Sequence, residues 1–428
     1  MHKSSRGWIV VLCWLTVMFE GFDIVALGAT IPILTHPEIG HMGVTAADMT
    51  FVSTISLVGV AVGAVSIGPI ADRHGRRIPL MGCVALFSVF TLLFPLMPNV
   101  ALMGITRLIA GFGLGACMPV AVTMMQESAP QGRKANASTV TMTGYHAGAV
   151  LASLAALAFH EHWHWLFYLG GVLGLLSLIP MWLRLPETAP RPILVAAGAE
   201  APVQTPGSAS PAAGGGTSAP SGVRDLFRDG RSRVTLGLWV ATFMGLMLVY
   251  GLNTWLPKIM ELAGYNVSSS LVMLFVLNAG GIIGLLLGGR VADARGIKGT
   301  ILVWFGAAAV LLAALSIRIS DSLVLNGVVL VTGVFVFSAQ VLIYAFVGYL
   351  YPKTLVATGM GFTSGVGRLG AILGPLATGV LVTLGLAYPG GFYMFAGAAL
   401  IGFGAILMIP RPRASTAKEL YALEQAEA

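Results

Sequence analysis

The chain has 428 residues, of which 56% are hydrophobic and only 10% charged. A soluble domain carries roughly 25% charged residues, so the main solvent for this surface is a bilayer and not water. The net charge of +7 would suit a nucleic-acid partner, but the basic residues sit in short polar segments between apolar runs, which excludes that reading.

Apolar runs long enough to cross a hydrocarbon core of roughly 30 Å as helix recur twelve times. The first, Trp8 to Leu34, is too long for a signal-peptide core and is expected to be retained. It carries Glu20 and Asp23, three residues apart and hence on one helix face, with Phe22 between them. The second, Met49 to Ala71, runs into the polar loop Gly68-Pro69-Ile70-Ala71-Asp72-Arg73-His74-Gly75-Arg76-Arg77. Ile78 to Leu96 and Val100 to Val122 follow; the latter holds Arg107 and leads to Glu127, Arg133 and Lys134. Ser138 to Phe159 contains Tyr145 and His146, and Trp163 to Leu183 is the sixth run. Between these two, His160-Glu161-His162-Trp163-His164-Trp165 reads as an interfacial turn and not a metal centre, because tryptophan favours that boundary. No metal ligand set is expected, and Cys13, Cys83 and Cys117 all fall inside runs without ligand-like spacing.

A polar stretch from Ala189 to Gly222, dominated by Ala, Pro, Gly, Ser and Thr, has too little apolar periodicity to pack and reads as a flexible linker. The expected division is 1–188, a six-helix bundle; 189–233, the linker; 234–410, a second six-helix bundle; and 411–428, a tail. In the second half the runs are Leu236 to Leu256, with Tyr250, Asn253 and Trp255, then Ser270 to Gly289, Thr300 to Ile317, Leu323 to Leu350, with Gln340 and Tyr344, Thr358 to Leu381, with Arg368, and Phe392 to Ile409. Apart from Arg107, Arg368, Lys258 and Arg318, all 24 Lys and Arg residues fall in the termini and in the loops on the same side as them. The positive-inside rule then puts both termini in the cytoplasm.

The loops after the second and eighth runs match at an offset of 221 residues, Gly68-Pro69-Ile70-Ala71-Asp72-Arg73-His74-Gly75 against Gly289-Arg290-Val291-Ala292-Asp293-Ala294-Arg295-Gly296. Parallel six-helix repeats are a transporter architecture, with cargo near the midplane between halves that rock about it. Gly59 and Gly63, Gly111 and Gly115, Gly280 and Gly284, and Gly361 and Gly365 are each four apart and would let helix backbones approach.

Gly68-x-x-x-Asp72-Arg73-x-Gly75-Arg76-Arg77 resembles the signature loop of the major facilitator superfamily. Glu20-Gly21-Phe22-Asp23 resembles the acidic motif of its aromatic acid:proton symporter family, with Glu20 in place of the first Asp. Arg107-x-x-x-Gly111-x-Gly113-x-Gly115 is similar to the fourth-helix motif of proton-coupled members, and the segment Gly365 to Pro375 to that family's eleventh helix. The segment Tyr351 to Gly359 departs from the pattern, with Val356 where the family usually has Arg and Lys353 nearby. The resemblance implies an all-α membrane protein of twelve transmembrane helices in two pseudo-symmetric bundles. It implies a monomer of the bacterial inner membrane that imports a small organic anion, an aromatic carboxylate such as benzoate or a hydroxybenzoate, by proton symport without a cofactor.

Glu20, Asp23, Arg107 and Arg368 are the charged residues deep within runs; each would cost about 2.5 to 3.5 kcal/mol at a bilayer centre, so they are expected to face inward and pair. Asp23, with Glu20 beside it, is the expected proton carrier, tuned by Arg107. Arg368 lies near the midplane and offers a fork for a substrate carboxylate. His146, Phe22, Tyr145, Tyr250, Asn253, Gln340 and Tyr344, with Trp255, are candidates for the pocket wall. Asp72, Arg73, Arg76, Arg77, Glu127 and Arg133 are candidates for a gate at the inner face, as the resemblance implies. No spacing suggests an enzyme's catalytic groups, and no phosphate-binding loop suggests ATP drive. The competing readings are a proton-coupled transporter of drugs or other organic acids and a membrane chemoreceptor that does not transport.

Overall fold

The computed structural model describes residues 3–36, 43–129, 134–188, 223–228, 230–352 and 355–410. Twelve α-helices follow one another: α1 (Lys3–Leu34), α2 (Ala46–His74), α3 (Arg77–Leu93), α4 (Val100–Ser128), α5 (Lys134–Ala158), α6 (His164–Arg184), α7 (Ser232–Leu262), α8 (Val267–Arg295), α9 (Ile297–Ala314), α10 (Ser322–Leu350), α11 (Val356–Thr383) and α12 (Gly390–Met408). All twelve are long and apolar enough to span a membrane. Large apolar side chains such as Val65, Leu183, Val310 and Leu323 lie more than two-thirds exposed, as suits a surface wetted by lipid. The tail and the segment 189–222 lie outside the described residues.

Successive helices alternate in direction, so the bundle has a basic end, where odd-numbered helices start, and an opposite end. Four helices leaving the opposite end begin with a side-chain cap that satisfies orphan backbone N–H groups. Thr45 and Asp48 form a capping box on α2, and the backbone N–H groups of Leu102, Ser269 and Val324 donate to Asn99, Asn266 and Asp321 on α4, α8 and α10. At the basic end, α2 and α8 stop at Gly75 and Gly296, whose φ angles of 84° and 87° favour glycine. These two glycines are the counterparts given by the sequence repeat.

The helices run past the apolar spans into polar sequence, α2 to His74 and α8 to Arg295. Of the expected linker, 189–233, the structure describes 223–228 and 230–233. Val223–Phe227 forms a 3-10 turn whose Leu226 is fully buried and whose carbonyl accepts a hydrogen bond from Thr235 Oγ1 at 2.6 Å, and α7 starts at Ser232. Leu226 and its carbonyl are thus satisfied against the second half.

Each half is held by glycine seams. A Cβ on Gly59 or Gly63 of α2 would lie 2.2 or 2.0 Å from the Leu108 or Phe112 carbonyl of α4, and Gly111 and Gly115 of α4 abut Ser56 and Val60 of α2 in return. Shifted by 221 or 222 residues, Gly280 and Gly284 of α8 meet Leu330 and Val334 of α10, and Gly333 meets Leu277. The expected fourth pair is different: a Cβ on Gly361 or Gly365 would meet nothing within 4 Å among the described residues, and α11 instead docks on α7 through Gly370 and Gly374 against the carbonyls of Phe243 and Met247. One turn further along, α11 turns those positions toward α7.

The halves meet where α1 packs on α7, α2 on α11 and α5 on α8. Gly28 of α1 abuts the Asn253 carbonyl and Thr254, and Gly379 of α11 abuts Thr50 of α2; both approaches lie toward the opposite end. Gly281 of α8 meets the His146 ring of α5 near mid-depth. The close cross-half approaches among the described glycines therefore lie at mid-depth or beyond it, away from the basic end.

Candidate functional site

The two acids of α1 have different partners. Asp23 is held in a closed pair with Arg107 of α4: Nη2 donates to Oδ2 at 2.8 Å and Nη1 to Oδ1 at 3.1 Å. Thr91 Oγ1 of α3 adds a third bond to Oδ1 at 2.7 Å. The guanidinium also faces the rings of Phe94 and Phe167, at 5.5 and 5.9 Å. Arg107 is fully buried and Asp23 nearly so. A bidentate fork with an extra hydroxyl neutralises both charges and joins three helices of the first half.

Glu20, one helical turn closer to the basic end, does not join that pair. Its side chain is fully buried, and neither carboxylate oxygen has a hydrogen-bond partner among the described residues. Arg368 of α11, in the other half, lies within electrostatic reach of it without a hydrogen bond to it. Arg368 Nη1 donates to the Tyr250 hydroxyl of α7 at 3.3 Å, and Tyr344 of α10 faces the same guanidinium. Tyr145 of α5 completes the surround, near both Glu20 and Arg368, with its hydroxyl unpartnered among the described residues. Gln340 lies one turn from Tyr344 on α10 and against Gly245 of α7. The centre therefore holds one acid, one guanidinium and three phenols contributed by both halves.

The remaining pocket candidates divide. His146 lies against Phe337 of α10, ring centroids 4.9 Å apart, and beside the amide of Asn278 of α8. Asn278 Nδ2 in turn donates to Asn253 Oδ1 at 2.9 Å, so His146 and Asn253 belong to a polar seam between the halves. Phe22 lies apart from these groups. Two residues from Glu20, it points to the other side of α1, where it packs on Gly170 of α6 and lines an apolar groove with Met18 and Leu154. Trp255 donates its Nε1–H to the Pro375 carbonyl at 2.9 Å and is fully buried between α7 and α11.

At the basic end, Glu187 accepts the backbone N–H groups of Arg76 and Arg77 at 2.7 and 3.1 Å, capping α3 with a carboxylate. A Cβ on Gly75 would come within 2.3 Å of that carboxylate, so the loop needs glycine both for its φ and for room. Arg76 Nε reaches Glu127 Oε1 at 3.4 Å, and Thr188 Oγ1 donates to Glu127 Oε2 at 2.6 Å. Arg77 donates to the Trp182 carbonyl and lies over its ring at 5.5 Å. The structure thus gathers Arg76, Arg77 and Glu127, leaves Arg73 exposed, and does not describe Arg133 or the side chain of Asp72. Sequence reasoning missed Glu187, Thr91 and Asn278. Glu187 had a signal, an acid placed just after Pro186 at the end of the sixth run, whereas Thr91 and Asn278 are single small polar residues in apolar helices and gave none.

The chain matches the Major Facilitator Superfamily over residues 13–375. It is 31% identical to the benzoate transport protein of Acinetobacter baylyi, covering 94% of this chain and 89% of that one. It is 31% identical to the gentisate transporter of Corynebacterium glutamicum, over 94% and 87%, and 31% identical to the gallate transporter of Pseudomonas putida, over 95% and 92%. Among solved structures, the D-xylose-proton symporter superposes with a TM-score of 0.69 at 13% identity, covering 94% of this chain and 96% of that one. A bacterial homolog of the human lysosomal transporter Spinster, inward-facing and unoccupied, superposes with 0.69 at 17% identity, over 95% of each chain. Two six-helix repeats, a charged centre shared between them and a match over most of the length place this chain in the Major Facilitator Superfamily.

Proposed function

We propose that the chain is a transporter, not an enzyme, that imports a small aromatic carboxylate by proton symport with alternating access. The observation that carries this reading is a fully buried Glu20 with no hydrogen bond among the described residues, within electrostatic reach of Arg368 of the other half, itself bonded to Tyr250. Arg368, backed by Tyr250, is a fork for the substrate carboxylate, and Tyr145, Tyr250 and Tyr344 supply ring faces and hydroxyls around it. The names of the relatives, transporters of benzoate, gentisate and gallate, support the substrate class.

Glu20 is the proton carrier in this reading. The Asp23–Arg107 pair serves instead to hold α1 on α4, because both its charges are already satisfied. The basic end faces the cytoplasm of a bacterial cell, with both termini inside, and the close approaches between halves lie toward the outer end. The cluster of Arg76, Arg77, Glu127 and Glu187 is a gate support within the first half. One chain suffices, since both halves of the site lie in it, and no cofactor is required.

Whole-cell uptake of labelled benzoate and protocatechuate, with and without a protonophore, tests the reading. Concentrative uptake that collapses with the protonophore is expected; absence of uptake of any aromatic acid would reject it. Arg368→Lys should raise the half-saturating substrate concentration about tenfold or more, because an ammonium replaces a two-pronged donor.

A further inference from the structure

The charges at membrane depth fix how many protons and how much charge accompany each substrate. We propose that Arg368 is the one exchangeable cation of the centre, for which the Glu20 carboxylate and a substrate carboxylate compete, so that each cycle carries one monoanion, one proton and no net charge. The inference rests on the symport reading above and goes beyond it to stoichiometry and to substrate charge.

Four charged side chains lie deep in the described helices. Asp23 and Arg107 cancel each other in a closed, buried, two-pronged pair, with Thr91 as a further donor to Asp23, that neither half needs to open. What remains is one acid and one base. Among the described residues Arg368 is hydrogen-bonded only to a neutral phenol, Tyr250, and Tyr250, Tyr344 and Glu20 lie within its electrostatic reach. The titratable groups within electrostatic reach of Glu20 are Arg368 of α11, Tyr145 of α5, Tyr250 of α7 and the Cys117 thiol of α4. None of these besides Arg368 is a cation.

An uncompensated charge in a closed, low-dielectric centre is costly, so the forms that can change access are the neutral ones. The empty carrier is neutral when Glu20 is ionised against Arg368. The occupied carrier is neutral when the substrate carboxylate takes Arg368 and Glu20 holds a proton. Substrate without proton leaves one negative charge too many, and proton without substrate leaves Arg368 unanswered. The proton enters from the outer aqueous phase onto a Glu20 oxygen as the anion binds. It leaves to the inner phase when the anion departs and Glu20 ionises against Arg368 again. A dicarboxylate brings a second charge for which the centre has no cation, so the substrates are monocarboxylates.

The test uses the purified full-length chain in proteoliposomes with labelled 4-hydroxybenzoate. An acid-outside gradient, with the potential clamped to zero, should drive a steady-state accumulation of about tenfold per pH unit, and an imposed interior-negative potential should leave it unchanged. Accumulation of about a hundredfold per unit, or accumulation driven by potential alone, would overturn the proposal while leaving symport intact. Phthalate should compete at least tenfold more weakly than 4-hydroxybenzoate, and equal competition would overturn the restriction to monoanions. Glu20→Gln should retain exchange of internal for external 4-hydroxybenzoate yet lose net, gradient-driven uptake. Net pH-driven accumulation by Glu20→Gln would also overturn it, and the wild-type stoichiometry decides the matter should that variant fail to fold. No transport of 4-hydroxybenzoate or benzoate by the wild-type chain would instead reject the function itself.

Discussion

Asp23 and Glu20 share a helix face and a carboxyl group, yet one is closed by three hydrogen bonds and the other has none among the described residues. Removing one member of a buried pair strands the other charge, which costs about 3 to 5 kcal/mol, whereas removing both charges together is far milder. Arg107→Ala should therefore lower the thermal unfolding temperature of the purified protein sharply, and Asp23→Asn combined with Arg107→Gln should recover much of the loss. Equal destabilisation by the single and the double variants would mean that the pair does not act as a lock. The sequence made the partnership of Asp23 and Arg107 legible through depth, since both lie in the part of their helices away from the basic end. It did not separate Glu20 from Asp23, because a spacing of three gives a shared face but not the neighbours that stand opposite each turn. Phe22 shows the reverse: it sits in a motif that drew attention as a unit, while its own angle on the helix, about 200° from Glu20, turns it to α6.

At the level of helices, glycine decides which surfaces touch. Three of the four expected pairs form seams within a half, but Gly361 and Gly365 do not, and spacing alone could not show that Gly370 and Gly374 take their place. The glycines that sequence did not single out are those between halves. A Cβ on Gly28 would stand 2.3 Å from the Asn253 carbonyl, a backbone atom that cannot swing aside. Gly28→Val should thus disfavour the closed arrangement at the opposite end and shift the population toward one open there. The check is distance measurement between spin labels placed on α1 and α7 at that end, with an expected increase in the populated separation; an unchanged distribution would show that these helices part elsewhere.

Across the whole molecule, the twelve-helix architecture and the two halves were readable because hydrophobic length and the 221-residue repeat are properties of long stretches, and the two φ-positive glycines at Gly75 and Gly296 realise that repeat in the backbone. The pairing of halves was not readable, since it depends on which of six faces in each bundle turn toward the other. Those faces meet without a covalent requirement, through α1 with α7, α2 with α11 and α5 with α8. Two polypeptides divided between residues 188 and 223 and expressed together should therefore assemble and transport labelled substrate, at a lower rate that reflects loss of the tether. Either fragment alone should show no uptake, since Glu20 and Arg368 would then be on separate molecules.

Helix α1 is pinned by one carboxylate a single turn from the carboxylate that exchanges partners. A rod fastened so near its working group cannot swivel about its own axis to hide that group from one side of the membrane and show it to the other. Access to Glu20 must then be switched by moving what stands in front of it, Arg368 and the helix that bears it, so that departure of the second half is itself the event that uncovers the acid.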